Sequence, residues 1–402
     1  MRARRLLAAV GAVVLVTSAC GSGDGSGGSA TTTGADGPAG QGPATLPVRV
    51  DALPEDFSAS FFAYFPQAVT ARPGDTVEFV SDFTGEPHTV ALGRIIDEAL
   101  TAFDATPAGT PASEETRALL ARAPSFFPPD ATNADADPLP AAAQPCFLAT
   151  GSPPQESACV DQPRNPAPFD GTQSFYSSGF LPDEASFKLN LADDIAPGTY
   201  RFMCLVDRTE MTGTLTVVAP GSEIPSPAEV REQGDTEIAQ ATERVRARAE
   251  KAKAITAPEA AVAGAPSAED EAPVAGARRV ASTLNVFPEE LAVPAGGTVS
   301  WALHGAHMIA FNAPEDARPL YAFDADGVVR ANKKGALPSG SPPRQPGAEV
   351  VDGGRFDGTG FLNSGLLVGE GDLSYRLTFA KPGTYTYKCL FHTDMEGRIK
   401  VG

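Results

Sequence analysis

Near its carboxyl end the chain reads Lys388-Cys389-Leu390-Phe391-His392-Thr393-Asp394-Met395-Glu396-Gly397, which puts a thiol, an imidazole and a thioether within seven residues. A turn of that length between two strands can aim three side chains at one centre. A fourth ligand must then come from a neighbouring strand, and His307, just after a turn, is placed to supply it. Sulfur donors suit a soft, low-valent metal, while imidazole tolerates both states of a redox couple. A lone Cys-x-x-His could be half of a zinc site, but no second Cys/His pair follows it. His304 reads as a solvated loop histidine, and Met308 as a buried strand residue rather than a ligand.

Two imidazoles, a thiolate and a weak axial thioether form the ligand set of blue-copper electron-transfer centres. His307, Cys389, His392 and Met395 are therefore the candidate ligands of one type 1 copper per chain. Here the sequence resembles the cupredoxins, of the plastocyanin and azurin kind. The resemblance rests on the Cys389-x-x-His392-x-x-Met395 loop, the upstream His307, and Pro382-Gly383-Thr384-Tyr385 ahead of the cysteine strand. It covers 281–312 and 356–402, and more loosely 46–92 and 169–219. It implies an all-β fold, two Greek-key cupredoxin-like β-sandwiches joined by a helical and flexible linker, with the metal under loops at one end. It also implies that electrons pass at the edge of the loop histidine, so His392 with Phe391 beside it would form the docking patch.

Two sandwiches are expected because the chain repeats itself. Phe65-Pro66, Val69, Pro73-Gly74, Thr76-Val77, Phe79 and His88 are matched by Phe287-Pro288, Leu291, Pro294, Gly296, Thr298-Val299, Trp301 and His307. Phe169-Asp170-Gly171-Thr172 matches Phe356-Asp357-Gly358-Thr359, and Pro197-Gly198-Thr199-Tyr200 matches Pro382-Gly383-Thr384-Tyr385. In the first copy His88, Cys204 and Met211 align with ligands of the second. Its loop has one more residue, and Arg208 takes the place of His392 in this alignment; a guanidinium cannot ligate a metal. His88, Cys204 and Met211 thus form at most a degenerate metal site, one that could hold Cu(I), with Asp207 as a harder donor that could fill the gap left by the missing imidazole.

The repeat divides the chain into 46–219 and 280–402, with insertions at 93–168 and 313–355. The first insertion carries helical candidates at Ile95 to Phe103 and Pro111 to Arg122, and the second reads as a long surface loop. Cys146 and Cys159 pair as a disulfide in an oxidising compartment. Between the copies, 220–279 is a linker. Ser226-Pro227-Ala228-Glu229 is a capping box opening a helix to about Ile255. Its thin stripe of Ile238, Ala241, Val245, Ala249 and Ala252 suggests a largely solvated helix and leaves a coiled-coil dimer open, so the oligomeric state is not fixed. Residues 257–278 read as flexible.

At the amino end Arg2, Arg4 and Arg5 precede an apolar run from Leu6 to Val16 and then Cys20. Residues 1–20 resemble a bacterial lipoprotein signal, which implies that Cys20 is acylated and anchors the protein to the outside of a membrane. Residues 21–45, rich in Gly, Ser and Thr, would serve as a disordered tether. Formal charge is −19, and −22 once the three signal arginines are gone, 28 basic against 50 acidic residues. Such a balance excludes nucleic-acid binding. Residues 46–219 carry −15 and 280–402 only −2, so the first half could steer a basic redox protein. Copper oxidases and nitrite reductases need further histidines for their catalytic metals, and this chain has four in all. The expectation is not an enzyme but a single-electron carrier serving a redox protein partner; the alternative is a copper-holding or copper-delivery protein.

Overall fold

The computed structural model describes residues 42–402 apart from 55–57, 82–84, 108–109, 126–138, 150–158, 160–165, 182–185, 254–259, 265–280, 343–347 and 393. The signal, Cys20 and most of the tether lie outside the described residues. The fold is all-β, and each half places its strands in two facing sheets, with the last two strands of each half paired as neighbours in one sheet.

In the first half a four-stranded sheet runs Tyr64–Phe65, Thr45–Val50, Thr76–Ser81, Ser186–Asn190. Facing it, a six-stranded sheet runs Ala68–Ala71, Arg208–Val217, Gly198–Cys204, Ala91–Leu92, Phe175–Ser177, Cys146–Leu148. In the second half one five-stranded sheet runs Val286–Phe287, Ala260–Ala263, Thr298–His307, Leu367–Phe379, Val350–Phe356. The other runs Glu290–Val293, Glu396–Val401, Gly383–Lys388, Ala310–Phe311, Leu362–Asn363. Alternation does the sorting: in Thr298–His307 every second side chain is buried from Val299 through Trp301 and Leu303 to His307. Aromatic residues are few but central. Trp301 packs edge-on against Tyr387 and Phe311, as Tyr64 does against Phe79 and Phe202 in the first half.

Ala260–Ala263, placed in the linker by the sequence reading, is a strand of the second sandwich. It pairs parallel with Thr298–His307 and antiparallel with Val286–Phe287. Thr45–Val50 makes the same two pairings in the first half. Gly264, at φ +77°, then stands at the position of Asp51, at φ +63°.

The linker helix spans Pro227–Lys253. Its capping box forms as expected: Glu229 N–H donates to Ser226 Oγ, and Ser226 N–H donates to Glu229 Oε2. Such a cap contributes about 1 kcal/mol. The apolar stripe is not solvated. Ala241 and Val245 pack with Phe61, Phe65 and Ala281, and Ala249 and Ala252 with Phe287. The face that could have formed a coiled coil is covered by the chain's own two halves.

The halves meet at further places. Ala281–Thr283 pairs antiparallel with Ala59–Phe61. The insertions, unreadable as sequence, clasp one another: Gln144 Nε2 donates to the Val329 carbonyl and Val329 N–H donates back to Gln144 Oε1, each at 3.0 Å. Instead of one long loop, the second insertion carries a hairpin, Tyr321–Phe323 with Val329–Ala331. In the first, the helices form at Arg94–Asp104 and Glu114–Leu120, and Cys146–Cys159 is a disulfide. No helix among the described residues is long and apolar enough to cross a membrane.

Candidate metal centre

His307 ends the long strand Thr298–His307, and Cys389 follows the strand Gly383–Lys388. A bond from Cys389 N–H to the Met395 carbonyl, 2.9 Å, closes the ligand loop. His307, Cys389, His392 and Met395 are all buried, the two histidines completely. Met308 is buried beside them, as expected of a core residue.

Proton placement shows what this pocket can hold. His307 Nε2 lies 2.9 Å from the His304 carbonyl oxygen, which only accepts, so the ring proton sits on Nε2. His307 Nδ1 is left as a lone pair, and it faces His392 Nδ1 at 3.2 Å. Cys389 Sγ is 3.6 Å from that same His392 nitrogen. Two ring nitrogens and a sulfur thus converge in a buried pocket and leave one place among them. A proton can fill that place, and so can a metal ion bound by two Nδ1 atoms and a thiolate. This donor set fits copper. His304 thus acts through its backbone, and Gly264 makes room: a Cβ there would lie 2.2 Å from the His304 oxygen and 2.8 Å from His307 Nε2.

Electrostatics favour the thiolate. Burial opposes ionisation of Cys389, but the two imidazoles override it and hold the thiol well below its usual range. Met308 N–H and His392 N–H both donate to the sulfur, at 3.3 and 3.5 Å. Burial also opposes a charged His392, yet the Cys389 sulfur and Glu86 raise it to about 9.

Glu86 was not anticipated from sequence. It comes from the first half and sets Oε1 3.3 Å from His392 Nε2, an ion-pair contact whose angle falls short of a hydrogen bond. Gly85 lets its loop approach, since a Cβ there would lie 2.0 Å from the Phe391 carbonyl oxygen. The expected docking patch is therefore corrected: His392 is 0% and Phe391 6% exposed, because the first half covers them. No signal within the loop sequence could have revealed this, as the covering residues lie some 300 positions upstream.

No family profile and no curated protein matches the chain. Solved structures similar to it include a reduced Cu(I) form of an amicyanin mutant, at 18% identity, covering 38% of this chain and 89% of that one, with a TM-score of 0.19. Reduced auracyanin from the photosynthetic bacterium Roseiflexus castenholzii is similar at 17% identity, over 44% of this chain and 99% of that one, with a TM-score of 0.20. An oxidized amicyanin mutant reaches 22% over 37% and 89%, with a TM-score of 0.19. At identities and scores of this size, the chemistry of the pocket rests on its own geometry.

In the first half His88, Cys204 and Asp207 come together, their ligand atoms all within 4.8 Å of one another. His88 Nδ1 lies 3.0 Å from Asp207 Oδ2 and 3.8 Å from Cys204 Sγ. Asp207, not Arg208, occupies the position of His392, each standing three residues after its cysteine. The extra residue of this loop falls between Asp207 and Met211, where aligning on the methionine hid it. Arg208, at φ +58°, turns away and donates to the carbonyl oxygens of Leu120, Ala123 and Pro124 at the end of a short helix. Met211 is buried in the same core.

The two pockets are joined. His88 Nε2 meets Asp51 Oδ2 at 3.2 Å, and Ser60 Oγ lies 2.8 Å from both Asp51 Oδ2 and Glu86 Oε2. A continuous buried polar chain thus runs from His392 through Glu86, Ser60 and Asp51 to His88. Burial pushes the Asp51 carboxyl up despite His88 beside it, whereas His392 and His88 hold Glu86 down against the same burial.

Proposed function

We propose that this protein is a membrane-tethered, extracytoplasmic blue copper protein that carries single electrons between redox proteins, with one type 1 copper per chain held by His307, Cys389, His392 and Met395. The observation that carries this reading is the convergence of the two Nδ1 atoms at 3.2 Å beside the Cys389 sulfur in a closed pocket. A copper ion bound there would supply a one-electron couple. The chain's part is to fix both rings, the first through the His304 carbonyl and the second between Cys389 and Glu86, so that little moves when the charge changes. No catalytic residue is assigned. The test is voltammetry and visible absorption of the copper-loaded mature protein. An intense thiolate band and one reversible one-electron wave are expected; a colourless copper adduct would overturn the reading.

A second reading, copper holding or delivery, is favoured by one observation: the His392 edge is sealed by Glu86 and the Gly85 loop. Slow electron exchange combined with ready copper transfer to an acceptor protein would support that reading over the carrier.

A further inference from the structure

The pocket of His88, Cys204 and Asp207 has no part in the proposed electron carrier, yet it keeps the features that shape a metal site. Thr89 N–H donates to Cys204 Sγ at 3.4 Å, the counterpart of Met308 N–H on Cys389. Asp51 grips His88 Nε2, so that Nδ1 points at the thiol and the Asp207 carboxylate. A carboxylate behind a ring whose other nitrogen faces a thiol and a carboxylate is the usual outer support of a ligating histidine. His88 and Cys204 are buried, and Asp207 is half-buried.

The donor atoms differ from those of the second half in one respect, and that respect selects the metal. A nitrogen, a sulfur and a carboxylate oxygen are the ligand types of zinc, with one tetrahedral position left open. A dication between one thiolate and one carboxylate is electrically neutral, which a buried pocket tolerates far better than a net charge. A hard carboxylate in place of an imidazole works against a blue copper centre.

We propose that the first half of this protein binds a second metal, a redox-inert divalent cation of the zinc class, through His88 Nδ1, Cys204 Sγ and Asp207 Oδ2. Binding displaces the protons held at the Cys204 sulfur and at His88 Nδ1, while His88 Nε2–H stays on Asp51. No electron is transferred. Because Asp51 continues through Ser60 and Glu86 to His392, the cation would also fix the outer support of the copper centre.

The experiment uses the full mature chain with copper already loaded, supplied with Co(II) or Zn(II) and cleared of loose metal. One cobalt or zinc per chain beyond the copper is expected, with a near-ultraviolet thiolate-to-cobalt band. Cys204→Ser should abolish both while sparing the blue band. Asp51→Asn should weaken the second metal by about 10–100-fold, as loss of an outer partner does. If Cys204→Ser fails to fold, the unaltered chain still decides: Zn(II) must raise its unfolding temperature in proportion to log concentration. Absence of any metal beyond the copper, cobalt binding that survives Cys204→Ser, or a second blue copper in the native chain would each overturn the proposal.

Discussion

The two pockets of this protein are built on one frame and differ in one donor and in what holds the histidine ring from behind. In each, the N–H of the residue after the histidine donates to the cysteine sulfur, and the N–H after that donates to a serine, Ser178 in one and Ser364 in the other. The Asp-Gly-Thr turn beneath is duplicated too, Asp170 capping Thr172 as Asp357 caps Thr359. Among the donors that face the histidine ring, the third residue after the cysteine changes, from Asp207 to His392. With His392 there, the thiol is held well below its usual range; with Asp207 there, burial and the adjacent carboxylate push Cys204 up. A shared scaffold does not fix the chemistry of a site. Against the same burial, two imidazoles favour the thiolate of Cys389, whereas the Asp207 carboxylate works with burial against that of Cys204.

The cysteines give the largest contrast. Cys389→Ser should remove the visible thiolate band completely, whereas Cys204→Ser should leave its intensity unchanged in absorption spectra at equal copper loading. Bleaching by the second change would place the blue centre in the wrong half. Exchanging the third position sharpens the comparison further. His392→Asp should cost more Cu(II) affinity than the roughly 10–100-fold lost with an outer-shell partner, read by competition with a chelator. Asp207→His should create a second blue band, and Arg208→His should not, because Arg208 points at the Leu120 turn.

That last pair marks where sequence was legible and where it was not. The ligands of the second half could be read because Cys389, His392 and Met395 are local, and local spacing fixes local geometry. The all-β pattern was equally readable in alternating runs such as Thr298–His307. Asp207 reads from sequence only as a harder donor that could fill the gap, because aligning on Met211 shifts Arg208 onto His392; the equal spacing from each cysteine and the ring contact at His88 correct the register. Ala260–Ala263 does not announce itself, because a four-residue strand of alanines around the single β-branched Val262 carries too little bulk and no alternation. Glu86 and the clasp at Gln144 are purely tertiary. Nothing in their neighbouring residues encodes a partner hundreds of positions away.

Smaller effects test how each histidine is supported. Gly264→Ala would drive a Cβ into the His304 carbonyl and the His307 ring at a positive φ. It should destabilise the protein by about 1–3 kcal/mol and perturb the blue band; Asp51→Ala, at the matching position, should spare the band. Denaturant midpoints and spectra together would check this. Glu86→Gln removes an anion from the edge of His392 and so disfavours the more positive oxidised state. The reduction potential should rise by about 40–90 mV, the one-electron equivalent of about 1–2 kcal/mol. An unchanged potential would mean that Glu86 does not contact the centre in solution.

The central claim is that the halves share a frame but not a metal centre. Counting type 1 copper in the mature, full-length protein, by paramagnetic resonance against total chain after loose metal is removed, tests it most directly. The account predicts one blue copper per chain. Two would contradict it.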